Sequence, residues 1–249
     1  MNRWVGKVAV VTGASAGIGA VLAEKLVKEG LQVVGLARRE EPIKSLSKKL
    51  QGQKGKLYAL KVDLSKPDEI INAFKWVKDN LGPVHILVNN AGLAINDSLS
   101  DGNYESWKQV LDVNVLGLSV ATREAVKQMK ENKIDGHIVH VNSILGHRLV
   151  TMPGLNMYPA SKYAVTALTE TLLNEFNQKN LKIKISSVSP GVVKTDFRRV
   201  AGYTPQNAEE NFPGITSEEV ADAIIYVLST PPTVQIRELI LTAVGESFQ

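Results

Sequence analysis

A tyrosine and a lysine four residues apart, Tyr158 and Lys162, carry the most suggestive chemistry in this 249-residue chain. At that spacing on a helix the two side chains share one face. A free phenol has a pKa of ~10 and is too weak an acid to trade protons near neutrality. Bringing it to ~7 requires a preference for phenolate of about 4 kcal/mol. One ammonium ~4 Å away, at an effective dielectric of ~20, supplies about 4 kcal/mol before the opposing cost of desolvation. Lys162 therefore has the magnitude to turn Tyr158 into a proton relay for a substrate oxygen. Taken alone, such a pair has a structural explanation just as readily. Pro159 disfavours α geometry at Tyr158, so the helix must begin close to Tyr158 with the proline in its first turn.

A second candidate lies near the N-terminus. After the apolar run 7–11 comes Thr12-Gly13-Ala14-Ser15-Ala16-Gly17-Ile18-Gly19, opening a helical stretch. Glycine is needed where backbone turns tightly or approaches a ligand closely. The free amides at the helix start, with their dipole, favour a phosphate. Ala20-Val21 follow Gly19 where a P-loop would need Lys-Ser or Lys-Thr, which disfavours nucleotide hydrolysis. The alternative is a glycine turn with no ligand. At the end of the second apolar run the chain reads Leu36-Ala37-Arg38-Arg39. Two guanidinium groups there suit a 2′-phosphate, and hence NADP, whereas an acidic residue would suit the ribose of NAD. The alternative is a solvated basic pair, offset by Glu40 and Glu41.

Elements must exist to position these groups. Apolar runs at 7–11, 32–36, 56–60, 85–88, 137–141, 182–185 and 237–241 alternate with helical stretches at 17–29, 66–80, 104–132, 157–180 and 217–229. Strands alternating with helices imply parallel pairing through right-handed crossovers. The expected fold is therefore α/β: a single-domain, doubly wound Rossmann sandwich over 1–249 with about seven parallel strands. Pro67 fits a first helical turn, and Ser65-x-x-Asp68 suggests a capping box. The segment 191–214 is too long for an ordinary connection and is expected to be a structureless lid. Ligands in such sheets sit beyond the carboxyl ends of the strands.

Composition narrows the classes. Twenty-nine Lys+Arg against 25 Asp+Glu leave a net charge of +4, and 44% of residues are hydrophobic, which suits a folded soluble domain. Lysines are scattered rather than clustered, so nucleic acid is not an expected partner. With no cysteine there is no disulfide, thiol nucleophile or thiolate metal site. Four separated histidines give no metal-ligand spacing; His85, His137 and His140 read as strand residues and His147 as a rim residue. No apolar run reaches the ~18 residues of a membrane span. The first strand starts too early for a signal peptide, and Ser247-Phe248-Gln249 is no organellar address, so a cytoplasmic location is expected.

Thr12-Gly13-x-x-x-Gly17-x-Gly19, Asn89-Asn90-Ala91-Gly92, Asn114, Ser143, Tyr158-x-x-x-Lys162 and Pro190-Gly191 appear in that order. The chain thereby resembles the short-chain dehydrogenase/reductase family along essentially its whole length. Residues 158–170 are most similar to insect NADP-dependent farnesol dehydrogenases and to vertebrate relatives that reduce steroid and other carbonyls. The resemblance implies hydride transfer between NADP and a carbonyl or alcohol, with Asn114, Ser143, Tyr158 and Lys162 as the catalytic set. In it Ser143 orients the substrate oxygen, and an oxidised nicotinamide adds a second positive charge beside Tyr158. Asn114 sits at a kink holding a water that touches Lys162; the residue-level alternative is a satisfied core amide.

Expected cofactor contacts are Gly13, Ser15, Gly17, Ile18 and Gly19; Arg38 and Arg39; and Asp63 and Leu64, with Asp63 against the adenine. Asn90, Ala91 and Gly92 follow, then Tyr158 and Lys162, and finally Pro190, Gly191, Val193 and Thr195, the last holding the nicotinamide carboxamide. The Ser143–Tyr158 separation exceeds the usual family spacing by a residue or two, and the extra length at 146–154 enlarges the substrate rim. Leu145, Met152, Met157 and Phe197 are the leading substrate-contact candidates, with Leu93, Ala94, Leu149, Val192, Tyr203 and Phe212 behind them. Their apolar character points to a hydrophobic alcohol or carbonyl such as an isoprenoid or steroid. A non-catalytic NADP-binding sensor is the competing class. The helical stretches 104–132 and 157–180 are apolar on more than one side, which suggests a homodimer or homotetramer; a thick monomer core is the alternative.

Overall fold

A computed structural model describes residues 1–150, 154–202 and 213–246. The run Val8–Thr12 (β1) is buried at every position, and its near-continuous apolar sequence is what a strand covered on both faces requires. Gln32–Ala37 (β2), Lys56–Lys61 (β3), Val84–Asn89 (β4), His137–Val141 (β5), Lys184–Pro190 (β6) and Glu238–Leu241 (β7) join it in one sheet of order β3-β2-β1-β4-β5-β6-β7. Every pairing is parallel.

The helices are Gly17–Lys28 (α1), Glu41–Lys49 (α2), Pro67–Leu81 (α3), Tyr104–Leu111 (α4), Leu118–Glu131 (α5), Met157–Gln178 (α6), Phe197–Val200 (α7) and Ser217–Ser229 (α8). On one face of the sheet Leu22 and Leu26 of α1 pack with Val220 and Ile224 of α8. On the other, Phe74 of α3, Ala121 and Met129 of α5 and Phe176 of α6 form the second core. This is the doubly wound sandwich that the alternation of apolar runs demanded.

Four local readings are corrected. The stretch 104–132 is not one helix: the segment Asp112–Gly117 between α4 and α5 is π-helical. No capping box forms at Ser65; α3 starts at Pro67 after an uncapped Lys66, and Ser65 instead donates its N–H and hydroxyl to Asp63 Oδ1. The capping box lies at α8, where Thr216 and Glu219 bond reciprocally. The sixth strand runs Lys184–Pro190, later than the β-branched run suggested, because its serines point into packed, hydrogen-bonded surroundings. Helix α2 went unseen because it is only nine residues long and mostly polar, although Ile43 and Leu46, with Leu50 just beyond it, face the core at helical spacing.

Strands β1 and β4 are neighbours, yet the chain leaves β1 toward β2 and leaves β4 toward β5. The loops after these two strands therefore diverge and open a crevice at their carboxyl ends. Thr12 Oγ1 accepts the N–H groups of Asn90 and Ala91, each at 3.0 Å, and Asn90 Nδ2 donates to Thr12 O at 2.9 Å. Two glycines make this contact feasible. Gly13 has φ +68°, and a Cβ there would lie 2.9 Å from Ala91 Cα. A Cβ on Gly19 would lie 2.4 Å from Asn90 Nδ2 and 2.5 Å from Gly13 O. Gly19→Ala is expected to destabilise the fold by about 1–3 kcal/mol, read as a lowered urea midpoint, because a backbone oxygen cannot give way cheaply. An unchanged midpoint contradicts this packing.

Candidate active site

Helix α6 begins at Met157, one residue before Tyr158, so Pro159 occupies the first turn, where its missing N–H costs nothing. Asn156 precedes it at φ +37°, donates Nδ2 to Ile95 O at 2.9 Å and caps Met157 N–H with its side-chain Oδ1. A non-glycine residue in that region is strained and needs such anchoring. The helix aims Tyr158 and Lys162 into the crevice.

Lys162 is only 5% exposed. Its Nζ donates to Val141 O at 2.9 Å and lies 5.6 Å from the Tyr158 ring centroid. Burial lowers its pKa to about 8, so the ammonium stays mostly protonated at neutral pH. The nearby His140 is pushed by burial, and further by the Lys162 charge, to about 3 and stays neutral. Its ring bonds Thr169 Oγ1 at 2.9 Å. No second cation therefore arises there.

Asn114, in the π-helical segment, accepts Leu93 N–H at 2.7 Å and donates to Leu93 O at 2.8 Å and Ser161 Oγ at 3.0 Å. Both sequence readings hold part of this arrangement: the helix is distorted there, and the amide is also a satisfied core group. Its side chain stands behind the crevice wall. Ser161 donates in turn to Tyr158 O at 2.6 Å. Ser161 was missed at sequence level; its place between Tyr158 and Lys162 was the available signal, but a serine in a helix carries no pattern of its own. Ser143 follows β5 by two residues on the crevice wall and accepts Leu145 N–H at 3.1 Å, starting the 3-10 turn Ile144–Gly146. Thr166 of α6 donates to Gly146 O at 2.9 Å and accepts Asn142 Nδ2 at 2.9 Å, which ties that turn to the helix bearing Tyr158.

The crevice has a volume of about 1330 Å³. Gly13, Ser15, Gly17, Ile18, Arg38, Arg39, Asp63 and Leu64 line one part, and Asn90, Ala91 and Gly92 the middle. Pro190, Gly191, Val193 and Thr195 line the other part, with Leu145, Val192 and Phe197. Helix α1 has no side-chain cap and no acidic residue in its first turn, so its amides are free to meet an anion. Glu40 and Glu41 do not offset the arginines; both pair with Lys44. Burial raises the Asp63 pKa, but hydrogen bonds from Ser65 and the charges of Arg38 and Lys66 outweigh it, leaving the carboxyl below its ordinary value.

Several candidates fall elsewhere. Gly19 packs behind the wall, Met157 does not line the crevice, and Leu149 is 71% exposed. Met152, Tyr203 and Phe212 lie outside the described residues. The segment after β6 is not structureless: it contains α7, and Val193 bridges Ile215 at its base. Phe197 of α7 rests against Tyr158, with ring centroids 5.6 Å apart. Leu155, Val113 and Ile144 line the apolar end without having been singled out, since isolated apolar residues look the same in a wall as in a core. His147 stands near Glu238 Oε2 at 3.3 Å and Ser189 Oγ at 3.1 Å. Among the described residues no group of three His, Asp or Glu side chains could hold a metal, and no helix is long and apolar enough to cross a membrane.

The family profile of short chain dehydrogenases matches residues 7–205. Farnesol dehydrogenase of Aedes aegypti is 47% identical over 251 aligned positions, covering 100% of both chains. Dehydrogenase/reductase SDR family member 11 of Gallus gallus is 44% identical over 96% of each chain. Among solved structures, an alcohol dehydrogenase from the archaeon Thermococcus sibiricus complexed with 5-hydroxy-NADP superposes with a TM-score of 0.86, at 28% identity over 98% of this chain and 99% of that one.

The Lys162 pKa of about 8 lies below the ordinary 10.5, so between these values the unfolded chain holds a proton that the folded chain has lost. Stability is expected to rise as pH climbs from about 8 toward 10.5, relieving a penalty on the order of 3 kcal/mol that applies in full below about 8. Lys184, also lowered to about 8 chiefly by burial, adds its own rise. Lys162→Met should remove the Lys162 share, measured by urea unfolding across this pH range. A slope untouched by the substitution contradicts a buried ammonium.

Proposed function

Because the chain belongs to the short chain dehydrogenase family and is thus an oxidoreductase, we propose that it interconverts a hydrophobic alcohol, farnesol among the candidates, and its carbonyl, using NADP. The observation that carries the reading is the buried Lys162 ammonium beside the Tyr158 ring inside a large crevice. The wall residues fit a dinucleotide with a 2′-phosphate. Uncapped amides at the start of α1 suit the pyrophosphate, and the guanidinium groups of Arg38 and Arg39 line the crevice beyond β2. The NADP derivative bound to the archaeal alcohol dehydrogenase supports the same cofactor.

When bound, the nicotinamide supplies the hydride acceptor or donor. The chain's own residues do the rest. Tyr158 exchanges a proton with the substrate oxygen, Ser143 donates a hydrogen bond to that oxygen, and Lys162 lowers the cost of phenolate at Tyr158. Asn114 and Ser161 hold the first turn of α6 against the loop after β4, which keeps Tyr158 in register with Ser143. The segment 191–214 acts as a lid, with Phe197 over the Tyr158 ring, and excludes water from the reacting atoms. Leu93, Ala94, Leu145, Leu155 and Val200 supply apolar surface to the outer crevice, which supports a substrate with a hydrophobic body such as an isoprenoid or steroid, while Arg198 and Arg199 of α7 also line it. The groove of about 610 Å³ between α5 and α6, with Leu118, Leu168 and Leu172 in its walls, supports a homo-oligomer built on that face.

A panel of hydrophobic alcohols and carbonyls, assayed with NADPH and NADH, tests the reading. Turnover is expected with NADPH, and Tyr158→Phe is expected to lower kcat by at least about 10²-fold while the cofactor still binds. Full turnover by Tyr158→Phe, or cofactor binding with no turnover on any substrate, defeats the proton-relay assignment. Arg38→Ala and Arg39→Ala should each raise the KM for NADPH about tenfold without raising that for NADH, the worth of a charge-assisted hydrogen bond. Equal use of both cofactors, unaffected by either change, defeats the NADP assignment.

A further inference from the structure

The turn after β6 is built around a carboxylate from the far end of the chain. Glu246 lies 54 residues beyond Val192, in the turn after β7, yet its Oε1 accepts the Val192 N–H at 2.8 Å. Its Oε2 accepts the Ala243 N–H, also at 2.8 Å. A Cβ on Gly191 would lie 2.2 Å from Oε1 and 2.7 Å from Oε2, so the carboxylate occupies the space that any other residue at 191 would need. Gly191 itself donates to Leu241 O at 2.8 Å. The other side of the segment is fixed as well. Ile215 N–H donates to Val192 O at 2.9 Å, and Lys194 N–H donates to Ile215 O at 2.8 Å. The strip Pro190–Thr195 held between these contacts is a wall of the crevice.

We propose that Glu246 is a positioning residue for the reacting end of the dinucleotide, clamping Gly191–Val192 to the turn after β7 so that the Val192–Thr195 wall keeps one position. The inference rests on the dinucleotide reading above. Its reach is set by topology. Arg38 and Arg39 follow β2 and the clamped strip follows β6, on opposite sides of the β1–β4 switch point. The clamp therefore acts on the half of the ligand remote from the 2′-phosphate. A carboxylate is the group the geometry calls for, because two backbone donors face its two oxygens. An amide would turn its own N–H toward one of those donors, and an alanine would leave both without an acceptor.

The test is calorimetric titration of the full chain with NADPH and with 2′,5′-ADP, which carries only the adenosine half. Glu246→Ala is expected to weaken NADPH about tenfold, the worth of one lost hydrogen bond to a charged acceptor, with Glu246→Gln in between, while 2′,5′-ADP binds all forms equally. Gly191→Ala should reproduce the selective loss with Glu246 still present, and should add nothing in the Glu246→Ala background, where the collision is gone. Unchanged NADPH affinity in Glu246→Ala, or equal loss of both ligands, overturns the clamp. A wild-type chain that binds neither ligand overturns the dinucleotide reading and the clamp with it.

Discussion

An ammonium group buried almost completely is the constraint around which the rest of this structure is arranged. Lys162 has little water to solvate its charge, and its ammonium donates to Val141 O and stands beside the Tyr158 ring. Burial alone carries its pKa down to about 8, which leaves it charged at neutral pH but not by a wide margin. A second buried cation nearby would tip that balance, and His140 stays neutral. The cost of placing the ammonium there is accepted beside the Tyr158 ring, where a nearby positive charge changes what a phenol can do.

Holding that pair still takes contributions from four separate parts of the chain. The π-helical segment turns Asn114 so that its amide grips both the N–H and the C=O of Leu93 while also reaching Ser161. Ser161 passes the contact on to the Tyr158 carbonyl. Thr166 fastens the turn after Ser143, and the strained Asn156 anchors the start of α6 to Ile95. Each contact is a modest hydrogen bond, but they converge on one helical turn, and a shift there moves Tyr158 relative to Ser143. Arg38 and Arg39 line the crevice beside the glycine turn, and where α7 closes it Phe197 and Val200 stand with Arg198 and Arg199.

Much of this was legible in the sequence because the informative signals were local. Alternating apolar runs and helical stretches gave the parallel sheet, since a strand covered on both faces has to be apolar throughout. The glycine turn, Arg38-Arg39, and Tyr158 with Lys162 were readable because each depends on short spacing along one element. What escaped had no such pattern. Helix α2 is nine residues long and mostly polar, so the short stripe of Ile43 and Leu46 was too brief to stand out. Ser65 looked like a cap but found Asp63, two residues behind it, a better partner than the helix ahead. Gly19 looked like a ligand-facing glycine, whereas its missing Cβ serves the packing of Asn90 against Gly13.

The sequence by itself determined which runs form the sheet, where its ligand-facing loops begin, and which side chains on α6 share a face. Tertiary structure alone decided which distant residues those groups meet. No periodicity relates Asn114 to Leu93 and Ser161, Thr12 to Asn90, or Glu246 to Gly191 and Val192, because these contacts join loops that the sheet topology brings together. The physical reason is that secondary structure follows from neighbours a few residues apart, whereas the environment of a buried charge or an unfilled backbone acceptor is supplied by whatever the fold packs beside it.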